Sequence, residues 1–186
     1  MIKLSGGKFK RRQIESISQF VRPTASFKRE AFFSIIESYA TKNSYELYQK
    51  KTFLDLFAGI GTMGLEAISR GIEKVVFFEN NYEVIKVLNK NCMKLCNKKQ
   101  YKIFNEDLEQ LNIHIEFKNI SIIYIDPPYN KYNISNLLSF LQNKINKDTI
   151  IGIESSIKDY FEIPNKLKLI KKKKYGRTNL SFLVLS

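Results

Sequence analysis

The stretch Ser121-Ile122-Ile123-Tyr124-Ile125-Asp126-Pro127-Pro128-Tyr129 decides how this chain folds. Its first residues, mostly β-branched and aromatic, predict a buried strand. Asp126 stands at the strand's C-terminal end, and the two prolines stop the ladder because neither carries a backbone N–H. Pro127 also pushes Asp126 toward an extended conformation. A rigid corner results at the carboxyl end of a strand, where open α/β sheets place their ligands. It presents one carboxylate, free backbone carbonyls and the aromatic face of Tyr129. That set suits a flat heterocycle carrying an amino group, with the ring stacked on Tyr129 and its N–H groups directed at Asp126 and the Pro127 carbonyl. A strand-ending Asp-Pro turn with a tyrosine over the core is the plain structural alternative.

Outward from this corner, strands alternate with helices. Thr52–Phe57 predicts a strand, followed by Ala58-Gly59-Ile60-Gly61-Thr62-Met63-Gly64 and a helix to Arg70 that Gly71 closes. Val75–Phe78 predicts a second strand ending in Glu79, then a helix over Asn81–Cys96 and a third strand, Tyr101–Phe104, leading to Asp107. Beyond the corner come a helix over Ile134–Leu141, a strand over Thr149–Glu154, and an antiparallel hairpin of Leu167–Lys173 and Leu180–Leu185. The alternation predicts an α/β fold, Rossmann-like, with a mostly parallel twisted sheet and a C-terminal antiparallel hairpin. Before it, residues 2–22, broken by Gly6-Gly7, predict short strands or a hairpin. Thr24 is the expected N-cap of a helix whose buried face is Phe27, Ala31, Ile35 and Tyr39, and Thr41–Lys50 connects it to the core. We expect one domain over 1–186, with 1–50 as a basic extension and 51–186 as the catalytic core.

Hydrophobic content of 44% with 26% charged residues is that of a globular chain. No apolar run approaches the roughly 20 residues of a membrane span, and no signal-peptide segment is recognisable. Cys92 and Cys96, one helical turn apart, form neither a metal signature nor a disulfide framework, so reduced thiols in a cytoplasmic protein and no metal are expected. His114 falls in a polar stretch with a surface role as its default. The net charge of +13 is gathered at the two ends: +6 over residues 1–30, +7 over 166–186, and none over the middle. Brought together by the fold, the ends would make one surface matched to a polyanion, and nucleic acid fits better than a membrane because neither end shows a basic amphipathic helix. Two solvated tails are the alternative.

Gly59-x-Gly61-x-x-Gly64 follows a strand and opens a helix, with Glu79 20 residues beyond Gly59 at the end of the next strand. That spacing fits the dinucleotide fingerprint, in which glycines admit the ligand and the acid holds ribose hydroxyls. It serves a nicotinamide cofactor and S-adenosylmethionine equally. Asp55, just before the loop, places a carboxylate for an ammonium group, and Asp107 lies where an adenine amino group would. The Asp126 corner fits an amine acceptor and offers nothing for hydride transfer. Together these favour a methyl donor. An exocyclic purine amine is a weak nucleophile, so holding its N–H groups and aiming its lone pair is the main catalytic task. A base in folded nucleic acid must first be unstacked to reach the corner.

On these residues the chain resembles the bacterial RsmD-type guanine-N2 methyltransferases of small-subunit ribosomal RNA. The likeness covers nearly the whole chain: Gly6-Gly7 and the basic residues after it; Arg22-Pro23-Thr24 to Arg29-Glu30; Leu54-Asp55-Leu56-Phe57-Ala58-Gly59-Ile60-Gly61 with Gly64-Leu65-Glu66-Ala67 and Ser69-Arg70-Gly71; Asp126-Pro127-Pro128-Tyr129; Ile153-Glu154-Ser155; and the Tyr175-Gly176 hairpin. Arg22-Pro23-Thr24 is the most discriminating element. The resemblance implies S-adenosylmethionine, a guanine 2-amino acceptor and a small-subunit (16S rRNA) particle, with a monomer as the expected state. Two departures stand out: Glu79-Asn80-Asn81 keeps only the first acid of the family's Glu-x-Asp, and Arg11-Arg12 replaces Gly-Arg.

The candidate catalytic residues are then Asp126, Pro127, Pro128 and Tyr129. The candidate donor contacts are Asp55, Phe57, Gly59, Gly61, Glu79, Asn80, Asp107 and Asp126. The candidate RNA contacts are Lys8, Lys10, Arg11, Arg12, Arg22, Arg29, Lys171, Lys172 and Arg177. An adenine-N6 methyltransferase, an NAD-dependent oxidoreductase resting on the glycine spacing alone, and a non-catalytic RNA-binding assembly factor remain the alternatives.

Overall fold

In a computed structural model, β1 (Ile2–Lys3) and β2 (Gln13–Ile14) pair as a short antiparallel hairpin, and α1 (Ser26–Asn43) follows. The alternation then runs β3 (Thr52–Asp55), α2 (Thr62–Arg70), β4 (Lys74–Glu79), α3 (Tyr82–Leu95), β5 (Tyr101–Asn105), β6 (Ile120–Ile125), α4 (Ile134–Leu141) and β7 (Ile150–Ser156). The antiparallel pair β8 (Leu167–Tyr175) and β9 (Thr178–Leu185) ends the chain. The structure describes residues 1–17, 26–111, 113–128 and 131–186. The expected N-cap Thr24, the expected RNA contact Arg22 and the expected stacking ring Tyr129 lie outside the described residues.

Seven strands form one sheet in the order β5-β4-β3-β6-β7-β9-β8. Pairing is parallel from β5 to β7 and antiparallel where β9 meets β7 and β8. The order reverses between β3 and β6, so their carboxyl ends flank the crevice where such sheets bind ligands. Asp55 ends β3 and Asp126 follows β6, which sets the two acids at that crevice.

Every residue of β6 is buried, as expected for a strand covered on both faces. Its side chains alternate: Ile122 and Tyr124 join one core layer with α1, α2 and α3, while Ile123 and Ile125 join another with α4. Among the described residues no helix is long and apolar enough to cross a membrane.

The buried face of α1 is not the one its four-residue spacing predicts. Phe32, Phe33, Ile36 and Ala40 go inward with Arg29, while Phe27 is exposed and its ring lies 5.8 Å from Tyr175. With 3.6 residues per turn, a strict four-residue stripe slides around the helix, and the adjacent pair Phe32-Phe33 carries more apolar area. Phe32 meets Tyr124 edge-on at 5.2 Å and Phe182 at 5.4 Å. Gly152 on β7 makes that approach possible, since a Cβ there would stand 2.1 Å from the Phe32 ring.

The N-terminal hairpin is bolted to the core by polar bonds. The Ser5 N–H and hydroxyl donate to the buried Glu66 carboxylate at 2.8 and 2.9 Å, and the Phe9 N–H donates to the Ser69 hydroxyl at 2.8 Å. Asn91 of α3 accepts from the Glu15 N–H at 2.8 Å and donates to the Glu15 and Ile60 carbonyls, both at 3.1 Å. One amide therefore ties the end of the hairpin to the glycine loop. Arg11, where the family pattern has glycine, sits at φ 69°, a left-handed backbone that costs a non-glycine residue about 1 kcal/mol. Asn81, the other departure, caps α3 by accepting from the Glu83 and Val84 N–H groups. Asparagine ranks with aspartate as a cap, so this function survives the exchange.

Candidate active site

The glycine loop is held by Glu79 rather than open around it. Glu79 accepts from the Gly59 N–H at 2.9 Å through Oε2, and from the Asn80 and Asn81 N–H groups at 3.0 and 2.9 Å through Oε1. A carboxylate has about four acceptor sites, so Oε2 keeps one for a ribose hydroxyl. Gly61 and Gly64 are small for packing reasons: a Cβ on Gly61 would stand 2.4 Å from Leu88, and one on Gly64 2.3 Å from Phe77. The spacing suggested ligand approach; the structure shows helices α2 and α3 and strand β4 closing on those two positions.

Asp55 is buried, and neither carboxylate oxygen receives a hydrogen bond of ordinary geometry. Burial raises its pKa to about 7, against the pull of the Gly64 and Phe57 amides, and the charge of Glu79 adds to the rise. A buried acceptor with no donor is costly. An ammonium group brought beside Asp55 would relieve that cost, so the donor set fits an amino-acid-bearing cofactor. Phe57, Asn80 and Asp107 meet nearby in one cluster. Asp107 accepts from Asn80 Nδ2 at 2.7 Å, the Tyr132 hydroxyl at 2.8 Å, the Glu109 N–H at 3.0 Å and Lys131 Nζ at 3.4 Å. Partial burial raises its pKa, but these donors outweigh it and hold the carboxyl at about 2. The Tyr132 ring packs edge-on to Phe57 at 4.7 Å.

On the other side of the crevice, Asp126, Pro127 and Pro128 line a cavity of about 600 Å³ with Glu154, Ser155, Lys158, Tyr160 and Thr178 among its walls. Burial raises the Asp126 pKa well above the usual carboxylate range, and the charge of Glu154 raises it further while Lys28 opposes. Glu154 accepts from the Tyr124 hydroxyl at 2.9 Å and from Lys28 Nζ.

Lys8, Lys10, Arg11 and Arg12 are exposed on the hairpin, and Lys171, Lys172 and Arg177 on β8 and its turn. Arg29 is different, and the expected RNA contact there is overturned. Only 1% exposed, it donates to the Lys3 carbonyl at 2.6 Å and stands 3.7 Å from the buried Glu66. It holds α1 to the hairpin and α2. The first turn of α1 thus touches both basic ends, through Arg29 on one side and the Phe27–Tyr175 contact on the other. Sequence reasoning gave no role to Lys28, Tyr132, Lys158 or Tyr160. Tyr132 had a signal in the sequence, lying three residues past Tyr129. Tyr160, 87% exposed on the cavity rim, stands in a polar stretch without periodicity.

A reversed parallel sheet with acids at the carboxyl ends of β3, β4 and β6 defines a Rossmann-like, S-adenosylmethionine-dependent methyltransferase fold. The family model described as Conserved hypothetical protein 95 matches residues 2–184, and the chain belongs to that family. It is 33% identical to Ribosomal RNA small subunit methyltransferase D of Buchnera aphidicola subsp. Acyrthosiphon pisum, over 82% of this chain and 76% of the relative. The solved structure of yhhF from Escherichia coli shares the fold with a TM-score of 0.82 at 21% identity, covering 100% of this chain and 98% of that one. An RNA methyltransferase from Salinibacter ruber, solved with S-adenosyl-L-homocysteine, gives 0.66 at 11% identity, over 88% and 94%. The chain is an RsmD-type methyltransferase.

Proposed function

We propose that the protein methylates the N2 amine of a guanine in small-subunit ribosomal RNA, with S-adenosylmethionine as the donor. The observation that carries this is the Asp126-Pro127-Pro128 corner, opening on a cavity sized for an extruded nucleotide beside the unpartnered Asp55. Asp55 would hold the donor's ammonium, Glu79 its ribose, and Phe57, Asn80 and Asp107 its adenine. The donor supplies a methyl group on a sulfonium, already electrophilic. Asp126 and the Pro127 carbonyl accept from the guanine amine and aim its lone pair. Transfer would break the donor's S–C bond as the N–C bond forms, leaving a neutral thioether, and the proton shed by the nitrogen would pass to Asp126, whose raised pKa suits it to receive it.

The name of the Buchnera relative supports the ribosomal substrate, and the exposed basic residues flanking α1 support a polyanionic one. In this reading 51–186 is the catalytic core, 1–50 an RNA-holding extension, and the protein works as a cytoplasmic monomer. The test is transfer of labelled methyl to unmodified small subunits, naked ribosomal RNA and duplex DNA, followed by nucleoside analysis. N2-methylguanosine from the subunit or its RNA is expected. N6-methyladenine, or label in DNA alone, would refute the assignment.

A further inference from the structure

The base cavity holds a second buried carboxylate to which the reading above gives no chemical task. Ile125 pairs with Ile153 across the parallel β6–β7 ladder, so the following residues bring Asp126 beside Glu154. Glu154 is only 7% exposed, yet it lines the same cavity as Asp126 and Pro127. The Tyr124 hydroxyl donates to Oε2 at 2.9 Å and the Lys28 ammonium to Oε1. Both neighbours are donors, so they present Glu154 as an acceptor, and about two of its four acceptor sites remain. The cavity wall at this point therefore sets two carboxylates, Asp126 and Glu154, beside Pro127.

That wall discriminates between purines. Guanine presents the two N2 hydrogens and the N1 hydrogen side by side, a run of donors. Adenine presents its N6 hydrogens beside N1, which carries a lone pair and no hydrogen. An adenine placed with its amine at Asp126 would set its N1 lone pair against Glu154, two desolvated acceptors facing each other. Resting on the guanine-N2 reading, we infer that Glu154 selects guanine, its carboxylate accepting the N1–H while Asp126 and the Pro127 carbonyl take the amine. Lys28 and Tyr124 are positioning residues for it. This gives α1 a part in substrate choice, since it delivers Lys28 to the cavity. The alternative is a buried ion pair that merely fastens α1 to the sheet.

The test uses 2-aminopurine, which keeps the C2 amine but has an unprotonated N1. Small-subunit RNA is assembled by ligation with guanine or 2-aminopurine at the position the wild type methylates, and single-turnover transfer is measured on each. Wild type should favour guanine by about 100-fold or more, because a site built around a hydrogen bond rejects the analogue lacking it. Glu154→Gln, whose amide can donate to a bare N1, should narrow that preference to about tenfold or less, losing rate on guanine and gaining it on 2-aminopurine. A melting curve and donor binding confirm that the variant is folded. Equal proportional losses on both RNAs would leave Glu154 a structural anchor and overturn the inference. Equal wild-type rates on the two RNAs would overturn it without any variant. Failure of the wild type to methylate guanine at all would instead bring down the reading on which it rests.

Discussion

Asp55 and Asp107, both proposed to hold the methyl donor, carry their charges under opposite physics. Asp55 is buried with no ordinary hydrogen bond and is pushed up to about 7; Asp107 is part-exposed, meets four donors and is held at about 2. Both were expected as donor contacts, Asp55 from its place just before the glycine loop and Asp107 from its place after the third strand. In the structure the oxygens of Asp55 have no hydrogen-bond partner of ordinary geometry, while those of Asp107 are already satisfied. Ligand recognition energy should therefore concentrate in the unsatisfied acid, because a bond formed there replaces nothing. Asp126 extends the contrast to the base half, where burial again leaves an acid far from its ordinary state.

The largest effect is expected at Asp126. Asp126→Ala should lower transfer by about a thousandfold through loss of positioning and proton acceptance, with the donor Kd changed less than about threefold by the same scale of argument. Parallel losses in both would merge the two halves that the comparison separates. Next comes Asp55→Asn, which should raise the donor Kd about 30-fold, equivalent to about 2 kcal/mol. In wild type, donor affinity should climb as pH rises to about 7, because the ammonium favours the charged carboxylate. Asp55→Asn should flatten that climb, which calorimetric titration at several pH values checks.

The same shift affects stability. The folded pKa lies above the ordinary carboxylate value, so the folded state binds the proton more tightly than the unfolded one. Without donor, the contribution of Asp55 to stability is fully present at acid pH and is lost as pH rises from about 4 to about 7. Asp55→Asn should therefore melt at a higher temperature than wild type at pH 8. Asp107→Asn is expected to be milder, about threefold in donor Kd, since an asparagine still caps Glu109 and still accepts. A loss as large as that at Asp55 would break the contrast. The smallest effect lies at the periphery: Arg11→Gly should raise stability by at most about 1 kcal/mol by relieving the left-handed backbone, while weakening RNA binding a few-fold and reducing its salt slope by about one.

Strand–helix alternation, the glycine loop and the Asp126 corner were legible because each depends on local residue types at fixed spacing. The ends of α4 fell where the sequence placed them, and the helix expected over Asn81–Cys96 runs from Tyr82 to Leu95, with Asn81 and Cys96 as its caps. The face of α1 was not legible, because two adjacent phenylalanines and a buried arginine do not make a clean stripe; the sheet decided which way they point. Arg29 illustrates the same limit: an arginine in a basic stretch reads as a surface charge until Glu66, 37 residues later, is folded beneath it. Lys28 and Tyr132 find their partners, Glu154 and Asp107, far along the sequence, and no spacing rule reaches them.

The Asn91 amide, which joins Glu15 to Ile60, has a consequence for how this chain can be taken apart. A segment that grips substrate is often a module that can be cut away or exchanged. Here, removing the first fifteen residues would strip a partner from an amide that also holds the cofactor loop, and would bare the carboxylate of Glu66. A graft of another family member's hairpin would have to bring its backbone within reach of Asn91, because the amide pairs with the Glu15 N–H and carbonyl and not with its side chain. Hairpin and glycine loop are thus one structural unit.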